Sequence, residues 1–193
     1  MSQHSMILVS QIDRVCTITL NRPDDLNPLS WQVLNEIKTV LDDALYNEAI
    51  GVIVIDAAGK AFSTGYDLRE EHWITSQYPA NFPDHVDIRK DRDDVHTIVD
   101  YWMKMWRYPK PIIAKVQGDC LSGAGELLGV CDLAVVSERA RFGHPAGRDL
   151  GIPPSIMFWP MLIGYRKTKE LLYTSRLINA HEAEKIGLVN EVV

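Results

Sequence analysis

Residues 116–132 (VQGDCLSGAGELLGVCD) combine a turn, an acid and the expected start of a helix. Gly123 and Gly125 precede Glu126, where that helix should begin. The first N–H groups of a helix have no partner within it, and glycine lets a ligand approach such a backbone closely. A carboxylate beside these donors suits a site that must hold a developing oxyanion and move a proton. The stretch therefore predicts acyl chemistry.

A second glycine-bearing loop, residues 60–68 (KAFSTGYDL), lies upstream. Gly65 allows a tight turn there, and Asp67 is expected to accept hydrogen bonds from its own loop. The Tyr66 ring is either a pocket wall or ordinary loop packing. Two such loops, one of them carrying an acid, favour activation of an acyl carbonyl. The simpler alternative is that Glu126 only complements the dipole of its own helix.

The same glycines fit two other kinds of chemistry less well. The segment GAGELLG from Gly123 imitates a dinucleotide-binding loop, with Glu138 in the place of the ribose-binding acid. That loop follows its strand directly, whereas six residues separate the preceding predicted strand from Gly123. Ser122 is a weak candidate nucleophile, because CLSGA is not a G-x-S-x-G elbow and no His–Asp pair can be assigned to it.

The composition is that of an ordinary globular protein, with 46% hydrophobic and 24% charged residues. A length of 193 residues predicts one domain, residues 1–193, with a substantial core. The net charge of −6 argues against nucleic acid as a partner. The three cysteines fit neither a disulfide framework nor a zinc site, so we expect buried thiols and a cytoplasmic location. Neither a signal peptide nor a membrane partner is predicted.

Short apolar runs predict strands in a sheet that is covered on both faces. Residues 6–11 and 15–20 form an expected opening hairpin, and uninterrupted strands are expected at 52–55, 112–116 and 133–136. Ser30 is a good N-cap for a helix whose apolar residues between 33 and 45 recur at helical spacing. The alternation of strands and helices indicates an α/β domain.

The remaining segments are less regular. Residues 70–94 are polar and end in DIRKDRDD, which predicts an irregular loop facing a ligand or partner. Five apolar residues from Val95 to Trp106 then share one helical face. Further helical segments are expected near 156–163, 167–175 and 180–186, and a closing strand at 188–193. The large aromatic residues are expected in the core or in a subunit interface: Trp102, Trp106, Phe158 and Trp159.

Five motifs, in their order and spacing, resemble those of the enoyl-CoA hydratase/isomerase, or crotonase, superfamily. They are NRP…LN at 21–27, KAFSTGYDL at 60–68, PIIA…VQG at 111–118, SGAGEL…CD at 122–132 and ARFG…P…IP at 140–153. The resemblance covers nearly the whole chain. It implies an α/β spiral of repeated ββα units, with the C-terminal helical part short or missing. It also implies a homo-oligomer, a trimer or a hexamer.

The resemblance further implies roles for particular residues. The N–H groups of Tyr66 and Gly123 match the oxyanion hole for a thioester carbonyl, and Glu126 matches one of the two catalytic glutamates of the hydratases. The implied substrate is an acyl-CoA, with coenzyme A as part of that substrate and with no other cofactor and no metal. The other matched positions are implied to bind the substrate or its coenzyme A moiety: Asp24, Asp25, Leu26, Ala61, Phe62, Gly65, Asp67, His144 and Ala146.

One position departs from the family's pattern. The second hydratase glutamate is expected at the last place of FGHPA, where this chain has Ala146. Because alanine cannot carry a proton, isomerisation, thioester hydrolysis or another one-carboxylate reaction gains weight against hydration. A different polar group could come from His144, Arg148 or Asp149. An alternative from another class is a degenerate acyl-CoA binder or oligomer partner without activity.

Overall fold

The computed structural model describes residues 4–69, 88–151 and 153–193. Helices pack on two β-sheets. In chain order the strands are β1 (Ile7–Ile12), β2 (Val15–Leu20), β3 (Val52–Ala57), β4 (Ile112–Val116), β5 (Asp119–Leu121), β6 (Leu133–Val136), β7 (Arg141–Gly143), β8 (Ile178–Asn179) and β9 (Glu191–Val192). The helices are α1 (Trp31–Leu45), α2 (Ile88–Trp106), α3 (Gly123–Val130), α4 (Ala146–Asp149), α5 (Trp159–Ile163), α6 (Tyr165–Thr174) and α7 (Ala180–Lys185).

The larger sheet has the strand order β1-β2-β3-β4-β6-β9. Its first two strands form the expected antiparallel hairpin, and every later pairing is parallel. Burial alternates along β3, β4 and β6, and Lys115 and Leu133 are exposed, so the expectation of strands covered equally on both faces is not met. A smaller sheet has the order β5-β7-β8.

The helix α1 begins where its cap predicts. The hydroxyl of Ser30 accepts a hydrogen bond from the Val33 amide at 3.2 Å, which satisfies one of the N–H groups that a helix start leaves open. Its buried residues, among them Leu34 and Ile37, pack into the core with the fully buried Trp102 of α2. The helix α1 thus packs on β1 and β2 of the larger sheet, and α2 packs against α3.

The structure confirms the extents of β2, β4 and β6 and corrects several other expectations. Residues 88–94 belong to α2 rather than to an irregular loop, while residues 70–87 lie outside the described part of the chain. Val95 and Trp106 are 36% and 40% exposed, so the two ends of the predicted apolar face do not lie in the core. Trp106 instead stacks on Phe158, with ring centroids 4.4 Å apart.

The smaller sheet was not predicted from the sequence, and it places the two glycine-bearing loops. β5 pairs in parallel with β7. Ser63 bridges to Cys120 of β5, through hydrogen bonds from the Ser63 amide to the Asp119 carbonyl and from the Leu121 amide to the Ser63 carbonyl, both at 3.0 Å. The loop after β3 therefore runs alongside the strand that leads into α3. No helix in the described ranges has the length and apolarity needed to cross a membrane.

Candidate active site

The turn at Gly65 and Tyr66 is fixed by backbone hydrogen bonds on both sides. The Leu29 amide donates to the Gly65 carbonyl at 2.8 Å, and the Asp67 amide donates to the Leu29 carbonyl at 2.9 Å. Gly65 has a φ of 102°, in the left-handed region that favours glycine. This conformation holds Tyr66 between the segment before α1 and the start of α3.

The start of α3 lies directly against that turn. Ser122 adopts the unusual backbone angles φ 51° and ψ −121°, and its amide donates to the Gly143 carbonyl of β7 at 2.9 Å. A Cβ placed on Gly65 would lie 2.9 Å from the Ser122 Cβ and 3.0 Å from the Gly123 nitrogen. The two turns predicted from separate motifs are thus in contact, and the Gly123 amide is the first of α3.

A cavity of about 280 Å³ opens beside this contact. It unites Tyr66, Gly123, Glu126, His144 and Ala146, which the sequence placed in one site. Much of the remaining wall is aliphatic, so the cavity offers an apolar space next to the two turns. Its described lining residues are Thr64, Tyr66, Leu68, Ser122, Gly123, Glu126, His144, Pro145, Ala146, Asp149, Leu150 and Pro153.

Glu126 is only 2% exposed and is hydrogen-bonded through both carboxylate oxygens. The Tyr66 hydroxyl donates to Oε2 at 2.6 Å, and the Ser155 amide donates to Oε1 at 3.0 Å. The Ser155 hydroxyl also donates to Oε2. Burial raises the pKa of the Glu126 carboxyl and the bonds from Ser155 and Tyr66 oppose that rise, leaving the pKa above its usual value. A carboxyl with a raised pKa binds a proton more readily than a free glutamate, which suits a group that must accept a proton and return it.

The Tyr66 side chain is part of the same network. Trp102 donates its indole N–H to the Tyr66 oxygen at 2.9 Å, and the Ser155 Oγ lies 3.1 Å from that oxygen. Burial and the nearby charge of Glu126 raise the pKa of the Tyr66 phenol well above its usual value. The phenol is therefore protonated and acts as a hydrogen-bond donor. The sequence left open whether the Tyr66 ring is a pocket wall or loop packing. In the structure it lines the cavity, and its hydroxyl donates a hydrogen bond to Glu126.

The position of the second hydratase carboxylate is occupied by Ala146 at the start of α4, and this alanine lines the cavity. Of the three polar residues that could compensate, His144 and Asp149 line the cavity as well. His144 is buried, whereas Asp149 is exposed and accepts from the Arg148 Nε at 2.7 Å. Arg148 is directed into that ion pair. Asp149 is therefore the second carboxylate among the described lining residues, but it lies at the solvent side.

The residues expected around coenzyme A do not all lie in one place. Leu26 and Ala61 line a second cavity of about 610 Å³, together with Lys60, Arg139 and Arg141. Asn27 joins the two segments, donating its side-chain amide to the carbonyls of Ala58 and Ala61 at 2.8 and 2.9 Å. The Phe62 side chain is fully buried in the core, so only its backbone could contact a ligand. Asp24 lines neither of these cavities.

Asp25 and Asp67 belong to a network of charges. Arg22 contacts Asp67 at 2.8 Å and Asp25 at 3.0 Å. Arg69 contacts the same two carboxylates at 3.1 and 3.0 Å. Asp67 thus has the structural role that the sequence favoured, and it ties the turn after β2 to the loop that carries Tyr66.

Two members of the site were missed by sequence reasoning. Trp102 was expected only as a core or interface residue, although a buried indole N–H usually has an acceptor. Ser155, within GIPPS, carries no local signal because its contact with Glu126 depends on the path of the chain after α4.

Comparisons with known proteins agree with the geometry. Residues 11–193 match the family described as enoyl-CoA hydratase/isomerase. A structure of an enoyl-CoA hydratase/isomerase from Xanthobacter autotrophicus Py2 superposes with a TM-score of 0.88 and 33% identity, covering 99% of this chain and 68% of that one. The fold is therefore the crotonase fold. The chain belongs to the enoyl-CoA hydratase/isomerase family.

Two curated relatives show the range of named activities. A probable enoyl-CoA hydratase of Mycobacterium leprae is 35% identical over 194 residues, which cover 99% of this chain and 70% of the relative. A protein named 4-chlorobenzoyl coenzyme A dehalogenase-1, from an Arthrobacter species, is 33% identical over 190 residues, covering 96% of this chain and 65% of the relative. The chain is thus an enzyme of the enoyl-CoA hydratase/isomerase type, and the dinucleotide-binding interpretation is left without support.

Proposed function

We propose that this chain converts an acyl-CoA thioester through an enolate, with the amides of Tyr66 and Gly123 binding the thioester oxygen and Glu126 moving the proton. The observation that carries this assignment is the contact of the Gly65–Tyr66 turn with the first residues of α3, beside a buried carboxylate. Each backbone donor to a developing oxyanion is typically worth about 3–4 kcal/mol in such sites. That stabilisation makes the α-carbon acidic and the β-carbon electrophilic.

Double-bond isomerisation is the reaction that one carboxylate performs most directly. The Glu126 carboxylate takes a proton from C2 of a 3-enoyl-CoA, and the electron pair moves onto the thioester oxygen held by the two amides. The protonated Glu126 then returns its proton to C4, which gives the 2-enoyl-CoA. Hydration needs a second group to handle water, and Ala146 supplies none. Isomerisation is therefore favoured, and hydration or dehydration requires help from Asp149 or His144.

The substrate binds as an acyl-CoA, in keeping with the family. We expect the acyl group beside Glu126 and the coenzyme A moiety along Leu26, Ala61 and the adjoining backbone. Asp25 and Asp67 support this loop through their arginines rather than by contacting the ligand. No metal and no cofactor other than the coenzyme A of the substrate take part. The three buried free cysteines support the cytoplasmic location that remains a prediction, as does a trimer or hexamer.

The test combines an acyl-CoA panel with mass spectrometry in deuterated water. Enolate formation exchanges α-protons for deuterium, isomerisation leaves the mass otherwise unchanged, hydration adds one water and hydrolysis releases free coenzyme A. We expect exchange and isomerisation of short 3-enoyl-CoAs. Glu126→Gln should lower both by about 10²–10⁴-fold, whereas Glu138→Gln, at an exposed position, should leave them unchanged.

The second candidate function is a non-catalytic acyl-CoA binder, which is favoured by Ala146 alone. This function predicts saturable binding of acyl-CoA without deuterium exchange. Wild type and Glu126→Gln should then bind acyl-CoA equally well. Release of free coenzyme A that depends on Glu126 would instead identify a thioester hydrolase. Efficient hydration that Asp149→Asn abolishes would show that Asp149 replaces the missing glutamate.

A further inference from the structure

The Glu126 carboxylate receives more hydrogen bonds than its place in the first turn of α3 requires. Its Oε2 accepts from two hydroxyl groups, those of Tyr66 and Ser155, which is the number of lone pairs that one carboxylate oxygen offers. Its Oε1 accepts from the Ser155 amide at 3.0 Å. Tyr66 lies in the loop after β3 and Ser155 in the segment before α5, so neither donor belongs to the helix that carries Glu126.

Trp102 gives the network a direction. Its indole N–H can donate but cannot accept, and it donates to the Tyr66 oxygen at 2.9 Å. The phenol proton must therefore point to a different neighbour. The distance of 2.6 Å from the Tyr66 oxygen to Glu126 Oε2 shows that this carboxylate oxygen accepts the hydrogen bond. Accepting a hydrogen bond also makes a hydroxyl a better donor, so Trp102 strengthens the bond from Tyr66 to Glu126. Trp102 is fully buried, which fixes its ring by packing.

We propose that Trp102, the Tyr66 phenol and Ser155 are positioning residues that form a relay holding the Glu126 carboxylate ionised and aimed at the substrate. The role of the relay rests on the proposed function. Tyr66 then acts twice: its amide belongs to the oxyanion hole, and its phenol orients the acid. One residue thus fixes the distance between the point where charge develops and the group that moves the proton.

The relay changes the proton affinity of Glu126 in a predictable direction. Burial raises the pKa of this carboxyl, and the donors lower it. Removing a donor therefore raises the pKa further and moves the acid limb of a pH–rate profile to higher pH. The other ionisable groups on the wall of the described cavity that holds Glu126 are His144 and Asp149, while α2 presents the uncharged Trp102 to the Tyr66 oxygen.

The test is a titration of Glu126 by carbon-13 NMR of glutamate-labelled protein, with the signal assigned by its loss in Glu126→Gln. Tyr66→Phe and Ser155→Ala should each move the titration to higher pH and lower kcat about tenfold with little change in KM. Trp102→Phe should move it in the same direction. In the Tyr66→Phe background it should have no further effect, since Trp102 acts only through the phenol.

Trp159→Phe is the matched control. Trp159 is another fully buried tryptophan that packs on α3, with its Cζ2 3.0 Å from a Cβ placed on Gly125, and its indole N–H has no partner within the described residues. Its substitution should leave the titration of Glu126 in place. The relay is wrong if Glu126 titrates in Tyr66→Phe and Ser155→Ala as it does in Trp159→Phe. If Trp102→Phe does not fold, the Tyr66→Phe and Ser155→Ala variants are sufficient to decide.

The NMR readout does not depend on turnover, so the two proposals can fail separately. Turnover that Glu126→Gln abolishes, with an unmoved titration in the relay variants, would refute the relay and leave the proposed function intact. A moved titration in a protein that turns over no acyl-CoA would refute the proposed function and the catalytic purpose of the relay together.

Discussion

Gly123 shows how little space the site leaves around a single residue. A Cβ placed on it would lie 2.9 Å from two carbons of the Tyr66 ring. The backbone of Gly123 is not in the left-handed region, so alanine is excluded by the ring rather than by strain. The absence of a side chain there lets the ring lie on the start of α3 and lets the phenol reach Glu126 at 2.6 Å.

Gly123→Ala should therefore act on catalysis through Tyr66. The added methyl group displaces the ring, lengthens the bond to Glu126 and shifts the amide of the turn, so we expect kcat to fall by at least about tenfold. Deuterium exchange of acyl-CoA measures this loss. Gly129→Ala on the same helix is the control, because its Cβ would meet nothing closer than 3.4 Å. Equal exchange rates in the two variants would contradict the proposed site.

The site residues differ in how far sequence reasoning could find them. Gly123 and Glu126 stand in one short motif, where a helix start and an acid are recognisable from residue types. The contacts of Tyr66 with Trp102 and Glu126 span 36 and 60 positions of the chain. No local pattern encodes such pairings, because they depend on how α2 and the loop after β3 pack on α3. The side-chain role of Tyr66 therefore required the structure.

The same distinction applies to whole elements. The strands β4 and β6 were predicted from short apolar runs, and β2 from a β-rich run that forms one arm of the opening hairpin. The strands β5, β7 and β8 have only two or three residues each, too few to show a period, and are defined by partners such as Cys120 and Phe142. These short strands bring the two glycine turns together. The sequence therefore predicted the two motifs but not how they are arranged.

The charge network between the turn after β2 and the loop of Tyr66 makes a prediction about stability. The Asp67 side chain is only 4% exposed and pairs with Arg22 and Arg69. Burial raises its pKa, but the hydrogen bonds from Arg69 and Arg22 outweigh this and leave the pKa below its usual value. A depressed pKa in the folded state contributes stability above the unfolded pKa, and this contribution is lost as pH falls through the folded pKa.

Asp67→Asn should accordingly lower the free energy of unfolding by about 1–3 kcal/mol near neutral pH. The difference from wild type should shrink as the pH falls, because wild-type Asp67 then also becomes neutral. Urea unfolding at about pH 7 and about pH 3 measures both values. Asp25→Asn, at a 40% exposed side chain in the same network, should lower the stability less than Asp67→Asn does, because solvent screens an exposed ion pair. If the difference in unfolding free energy between wild type and Asp67→Asn is the same at both pH values, this account is contradicted.

At the scale of the whole molecule, α5 and the start of α6 expose several large apolar side chains. Met161, Leu162 and Tyr165 expose 65, 41 and 65% of their surfaces on adjoining helical residues. Several exposed apolar side chains close together in the chain are typical of association sites. The family resemblance predicts a trimer or hexamer, and this surface is where we expect such an assembly to bury apolar area.

Multi-angle light scattering tests that expectation, because one chain has a mass of only 21.8 kDa. Wild type should elute with three or six times that mass. Met161→Lys should shift the population toward smaller species, since burying an unpaired lysine in an apolar contact costs several kcal/mol. Tyr46 is 89% exposed and lies directly after α1, so Tyr46→Lys should leave the mass unchanged. A wild-type mass of one chain would exclude the oligomer, and an assembly indifferent to Met161→Lys would place its contacts elsewhere on the molecule.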